Sequence, residues 1–337
     1  MADAAGIILS VIGLVLDGIL GIIQILPIIS VVPQGAQSIV RIAAGLHEEE
    51  KLGGDIPGIT VWNENGKRLG SVKQSGQIEA GSFADIAVPQ TPPGQQPTYL
   101  RIEGGKKSIC VAYIGHAWSD GTQLGWLGDM GSQCGKQFYY SDVIVHRSNG
   151  TQYKPQCTWI GGTGSSADWT TQMTIHTPHF SAMSADNGFS VPADTSTLCN
   201  QPATIWSNDP VVSSGANKRL GLFGFFSIAS LLTAATDFKL PALTYSLRAP
   251  QIPFEGTIIG SHHSQHNSTA LCSNRLSYGP DFVSFHEGIF CDMHNRRTLP
   301  LCDSTIQSDC YDWNSHTIIG RRLKKRKMRY YTVTEWT

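Results

Sequence analysis

Charge is scarce in this chain. Asp, Glu, Lys and Arg make up 15% of its 337 residues, against roughly 25% in an ordinary soluble domain. The two signs nearly cancel, at a formal net charge of -1, so nothing attracts the whole molecule to nucleic acid and no nucleic-acid partner is expected. No Lys or Arg precedes Arg41, which removes the basic flank of an ordinary secretory signal peptide. Catalytic patterns are missing too: there is no G-x-S-x-G, no phosphate-cradling glycine loop and no H-E-x-x-H. The cysteines lack C-x-x-C spacing, which excludes the zinc and thioredoxin-like motifs built on it. No cofactor or metal is implied, and the reading leans away from an enzyme.

What is present begins with an apolar run from Gly6 to Val32, broken by Ser10, Asp17 and Gln24 at seven-residue spacing. On a helix these three form one polar stripe, with Gly13 and Gly21 on or near it. Gly6 to Leu26 would give about 31 Å of helix at 1.5 Å per residue, enough to cross a hydrocarbon core. Residues 1–36 are therefore expected to form an apolar helix, either a signal or an uncleaved anchor. A second reading makes it the membrane-inserting helix of a pore former, whose copies assemble along the stripe. A buried core hairpin is the third.

Eight cysteines, Cys110, Cys134, Cys157, Cys199, Cys272, Cys291, Cys302 and Cys310, accompany two N-x-S/T acceptors at Asn149 and Asn267. Both features favour the oxidising secretory route, disulfides and glycans. The protein is thus expected to be extracellular or anchored on the extracytoplasmic side. The closely spaced Cys272, Cys291, Cys302 and Cys310 are expected to pair among themselves.

Past Arg41 short alternating apolar runs are divided by turn residues. Strands are expected at 59–62, 68–72, 83–88, 98–102, 108–114, 138–145 and 172–176, with Asn65-Gly66 marking a hairpin. The expected fold is mainly β: a β-sandwich-like domain over 37–185, preceded by the apolar helix and followed by a small disulfide-supported α+β module over 261–337. Between them, 186–260 reads as a linker holding the dibasic pair Lys218-Arg219, a candidate processing site, and an apolar segment at 220–235. Near the end comes the dense run Arg321 to Arg329, read first as a processing site or a solvated tail, with binding to anionic lipid or RNA and a nuclear address as alternatives. The alternation from Tyr331 to Trp336 suggests a terminal strand.

The most site-like stretch runs from Gly115 to Gly131 and packs His116, Trp118, Asp120, Trp126 and Asp129 among glycines. Exposed rings beside carboxylates would suit a glycan, and Asp120 with Asp129 an acid/base pair. The same composition also closes turns at the end of a β core. His262, His263 and His266, like His176 and His179, are read as solvated or turn residues rather than ligands.

Two motifs carry a family resemblance: Lys154-Pro-Gln-Cys-Thr-Trp-Ile160, and Tyr278-Gly-Pro-Asp-Phe-Val-Ser284 with Gly288-Ile-Phe-Cys-Asp-Met293 and Leu301-Cys302. Through them the chain resembles a group of secreted, cysteine-containing proteins of filamentous fungi, from about Ile59 onward. The resemblance implies secretion and disulfides and supplies no catalytic residue. Function is accordingly expected to lie in surface or membrane interaction, with lipid or glycan as partner. The alternatives are an oligomeric membrane-permeabilising effector and a carbohydrate-binding or carbohydrate-active protein.

Overall fold

The computed structural model describes residues 36–46, 53–73, 75–146, 152–162, 169–180, 195–208, 254–321 and 325–337, together with strands Leu14–Leu16 and Gly21–Ile23, which pair antiparallel. The rest of the leading segment lies outside the described residues, as do its polar stripe (Ser10, Asp17, Gln24), Asn149, Lys218, Arg219 and residues 220–235.

The chain is mainly β. One antiparallel sheet runs in the order Phe138–Tyr139, Cys157–Ile160, Ile109–Ala117, Gln37–Ala44, Phe83–Pro89, with Gln123–Leu127 also paired to Ile109–Ala117. A second antiparallel sheet runs Thr204–Ser207, Gln172–His176, Tyr99–Glu103, Gly58–Trp62, Arg68–Val72. Ile39, Val40 and Ile42 of the first sheet share one apolar core with Ile59, Val61, Leu100, Ile102, Met173 and Ile175 of the second. In the second sheet Tyr99–Glu103 alternates cleanly, burying Leu100 and Ile102 while Tyr99, Arg101 and Glu103 are half-buried, as expected of a strand with one solvated face. The Asn65-Gly66 hairpin forms as read, with Gly66 at φ 72°.

Ile109–Ala117 and Cys157–Ile160 of the first sheet are covered on both faces, whereas the edge strand Phe83–Pro89 keeps one face in solvent. In Ile109–Ala117, Ile109 and Val111 enter the first core, whereas Cys110 and Ala112 enter a second. Opposite-facing neighbours on a strand explain that division. The second core is completed by Ile259, Leu271, Phe282, Met293 and Trp336 from the C-terminal portion. There a mixed sheet runs Arg297–Pro300, Ile289–Asp292, Asp281–Ser284, Thr257–Ser261, Thr332–Trp336, in which Thr257–Ser261 is parallel to both neighbours. A three-stranded ladder, Cys310–Asp312, Thr317–Ile319, Lys325–Lys327, is inserted in sequence between Arg297–Pro300 and Thr332–Trp336 of that sheet.

The two portions share hydrogen bonds as well as a core. Tyr139 OH donates to Pro280 O at 2.7 Å and Trp159 Nε1–H to Tyr278 O at 2.7 Å. Gly279 lies against the Tyr139 ring, where a Cβ would overlap ring atoms. Strand character expected through 138–145 stops at Tyr139, because Tyr140 turns to the C-terminal portion, where its hydroxyl donates to Asn267 O at 3.0 Å and its ring stacks on His266.

All eight cysteines are bonded: Cys110–Cys157, Cys134–Cys199, Cys272–Cys291 and Cys302–Cys310. The last two pairs fall within the C-terminal set, as the spacing suggested. Cys134–Cys199 has a further consequence. It fixes part of the expected linker to the β region, and the residues beyond it form the edge strand Thr204–Ser207. The polar composition of this stretch suits an edge strand, whose outer backbone faces water.

Candidate functional site

The Gly115–Gly131 stretch folds as a hairpin rather than an open loop. Ile109–Ala117 and Gln123–Leu127 are its arms, in register from Tyr113↔Leu127 to Ala117↔Gln123. This places most of the suggested site inside. Trp126 is 1% exposed and belongs to the apolar core, so its face is closed to a sugar ring. His116 and Trp118 are buried too, with Trp118 Nε1–H donating to His116 Nδ1 at 3.3 Å. Burial pushes the His116 imidazole down to about 3. Asp129 is buried and accepts from Tyr153 OH at 2.7 Å and from Gln156 N at 3.2 Å.

Asp120 alone among the five is exposed. It caps the hairpin turn, accepting from Thr122 N at 2.9 Å, and also takes a hydrogen bond from Gln96 Nε2 at 2.9 Å. The strand separating Asp120 from Asp129 spans on the order of 13 Å at 3.3 Å per residue, beyond the roughly 5–9.5 Å of glycosidase carboxylate pairs. Four of the five residues are thus buried in the hairpin and its core, in keeping with the reading of this stretch as one that closes the end of a β core. The strand 123–127 is buried at every position, so it shows no alternation in the sequence, and the glycines in and around it suggest a loop instead.

The histidines divide in the same way. His266, expected in solvent, is 2% exposed and packs among Tyr140, Phe282 and Trp336, with Nδ1 2.7 Å from Ser261 Oγ. Burial, then His263 and Lys154, push it down to about 3. His262 stays exposed beside Glu335. His176 is buried between Glu64, whose carboxylate lies 2.9 Å from Nε2, and His179. Among the described residues no group of three or more His, Cys, Asp or Glu is arranged to hold a metal ion.

A cleft of about 450 Å³ opens in the C-terminal portion, lined in part by Phe254, Tyr278, Asp281, Arg296, Arg326 and Arg329. Asp281 begins its strand at the floor, where its carboxylate accepts from Met293 N at 2.8 Å and from Tyr330 OH at 2.6 Å. Burial pushes the Asp281 carboxyl up to about 6, and burial followed by the Asp281 charge pushes the Tyr330 hydroxyl up. Asp292 is occupied by the turn after it, accepting from Asn295 N at 3.0 Å and Asn295 Nδ2 at 2.7 Å. Arg296, at φ 53°, reaches away to Ser277 and to Asn274 O.

The segment Arg326 to Tyr330 supplies another part of the lining. Lys325, Arg326 and Lys327 are exposed along an edge strand, and Arg329 is exposed beyond it. Neither Arg326 nor Arg329 makes a side-chain hydrogen bond or ion pair among the described residues. Guanidinium groups left free in this way suit bidentate binding of carboxylate or phosphate. The basic run was visible in the sequence, but its pairing with Asp281 and Tyr330 was not, since those residues are brought together by a parallel strand crossing.

No family model and no curated protein matches the chain. Among solved structures, a crystal structure of a LOX variant is 13% identical and covers 37% of this chain and 16% of that one, at a TM-score of 0.23. So slight a likeness supports no statement about fold or activity.

Proposed function

We propose that this chain is a secreted, disulfide-bonded β-sandwich protein that attaches to anionic membrane surfaces through its C-terminal basic strand. The observation carrying this reading is that Lys325, Arg326 and Lys327 are all exposed on an ordered edge strand. Seven of the nine residues from Arg321 to Arg329 are Lys or Arg, in a chain otherwise poor in charge. Each basic residue near an anionic bilayer contributes about 1 kcal/mol, so the four exposed cations from Lys325 to Arg329 sum to about 4 kcal/mol. Tyr331, at 81% exposed, adds an aromatic of the kind that sits at lipid headgroups.

Four disulfides fit an oxidising compartment. The Asn267 acceptor suits a glycan: it is exposed and caps the helix Ser268–Ser273 through Oδ1, which leaves Nδ2 for the sugar. The apolar leading run delivers or anchors the protein. No helix among the described residues is long and apolar enough to cross a membrane, which does not bear on strands.

Sedimentation with vesicles tests the attachment. The full chain is expected to pellet with phosphatidylserine-containing vesicles and to stay free of neutral phosphatidylcholine ones. Reversing the strand with Lys325→Glu, Arg326→Glu and Lys327→Glu should abolish pelleting. Equal pelleting of wild type and reversed strand would refute the reading.

A further inference from the structure

We propose that the cleft beneath the basic strand recognises a phosphomonoester carried on a polyol or sugar, with Arg326 and Arg329 as the phosphate-binding groups. This inference rests on the attachment reading above and names the chemistry that the attached surface would present.

Hydrogen bonding in the cleft leaves two guanidinium groups uncommitted. Asp281 is held by Met293 N and Tyr330 OH, Asp292 by Asn295, and Arg296 by Ser277 and Asn274. The two carboxylates accept from neutral donors and keep their charge, so the lining sets Arg296, Arg326, Lys327 and Arg329 against Glu255, Asp281 and Asp292. The balance is slightly basic, and Arg326 and Arg329 are guanidinium groups with no side-chain partner among the described residues. Two guanidinium forks on one short segment match the oxygens of a phosphate monoester better than a single delocalised carboxylate.

Size is the second argument. A space of about 450 Å³ lies in the roughly 300–1,000 Å³ range of small-molecule sites and exceeds what inorganic phosphate needs. Its walls add organic contact surface: Phe254 and Tyr278 meet edge to face at 5.3 Å between ring centroids, with Met293 and Met328 also lining it. Beyond its bonds from Met293 N and Tyr330 OH, the Asp281 carboxylate keeps lone pairs suited to accept a hydroxyl of a polyol ring. Phe254 and Arg296 also hold φ at 67° and 53°. Such conformations are costly for non-glycine residues and recur where a ligand must be met.

The test uses the full chain and two vesicle types of equal surface charge. One contains phosphatidylserine, whose phosphate is a diester, and the other a phosphatidylinositol monophosphate. Wild type is expected to bind the second about tenfold or more tightly, the equivalent of one charge-assisted hydrogen-bond set. Arg326→Gln with Arg329→Gln should erase that preference. Lys325→Gln, outside the cleft lining, should weaken both vesicle types equally and keep it. Soluble inositol trisphosphate should compete at concentrations where inorganic phosphate does not.

Equal binding to the two vesicle types would overturn the cleft assignment while leaving surface attachment standing. A preference that survives in the double variant, or equal competition by inorganic phosphate, would also overturn it. If wild type binds neither vesicle, attachment itself fails and the cleft assignment falls with it.

Discussion

Acid should destabilise this protein through its buried imidazoles. His116 and His266 are 1% and 2% exposed, and burial lowers both to about 3. A base whose folded pKa is depressed lends stability above its unfolded pKa, which is lost as pH falls through that value. At pH 5 both rings are still neutral in the folded chain, whereas in the unfolded chain, with pKa near 6.5, they are protonated. The difference is about 2 kcal/mol per ring at pH 5, so the pair removes about 4 kcal/mol. His176 and His179 are shifted in the same direction by burial and add to the loss.

Asp281 opposes them. Its folded pKa is raised to about 6, so the folded chain takes up a proton before the unfolded one does. Between pH 7 and pH 5 this restores about 1 kcal/mol. The net expectation is a fall of about 3 kcal/mol, a large share of the ~5–15 kcal/mol stability of a folded protein. Urea unfolding followed by tryptophan fluorescence at pH 7 and pH 5, with disulfides intact, measures it. His266→Phe keeps the packing among Tyr140, Phe282 and Trp336 but loses the Ser261 hydrogen bond. It should cost about 1 kcal/mol at pH 7 and shrink the pH difference by about 2 kcal/mol. A variant with the wild-type pH difference would refute the assignment to His266.

The disulfides should rank by loop length. Opening Cys134–Cys199, which closes 65 residues, is expected to cost about 4 kcal/mol, and opening Cys302–Cys310, which closes 8, about 2.5 kcal/mol; paired Cys→Ala variants compared by urea midpoint decide this. Asn267→Gln should remove the cap on Ala270 N and cost about 1 kcal/mol, and in secreted material it should remove one glycan band on enzymatic deglycosylation. Gly279→Ala should loosen the seat of the C-terminal portion on Tyr139, read as faster backbone hydrogen exchange in 276–281 and 136–140, while exchange in the second sheet is unchanged.

Strand content was legible in this sequence where one face is wet. Tyr99–Glu103 was visible because buried and less buried positions alternate there, and Arg68–Val72 because the Asn65-Gly66 turn leads into it. Legibility failed where both faces are covered. Gln123–Leu127 is buried at every position, so it carries no alternation, and its glycines suggested a loop. His266 was misplaced for a related reason: its neighbours His262 and Asn267 are exposed, and nothing local announces Tyr140 and Trp336 closing over it. The cleft was the least legible part, because Asp281 meets Tyr330 only when the terminal strand returns alongside Thr257–Ser261.

That return also decides what the basic run can be. Lys325–Lys327 is paired to Thr317–Ile319, which is paired in turn to Cys310–Asp312 beside the Cys302–Cys310 bond. Just past the run, Thr332–Trp336 pairs with Thr257–Ser261 and buries Trp336 at 1% exposure. Cations anchored on both sides do not form a free tail, and their backbone ordering cost is met by folding rather than by binding. Charge on an edge strand has a second use, since it blocks pairing between molecules. The two uses differ in sign dependence. Edge protection works with any charge, so the Glu-reversed strand should remain monomeric by light scattering, whereas attachment to an anionic bilayer requires the positive sign.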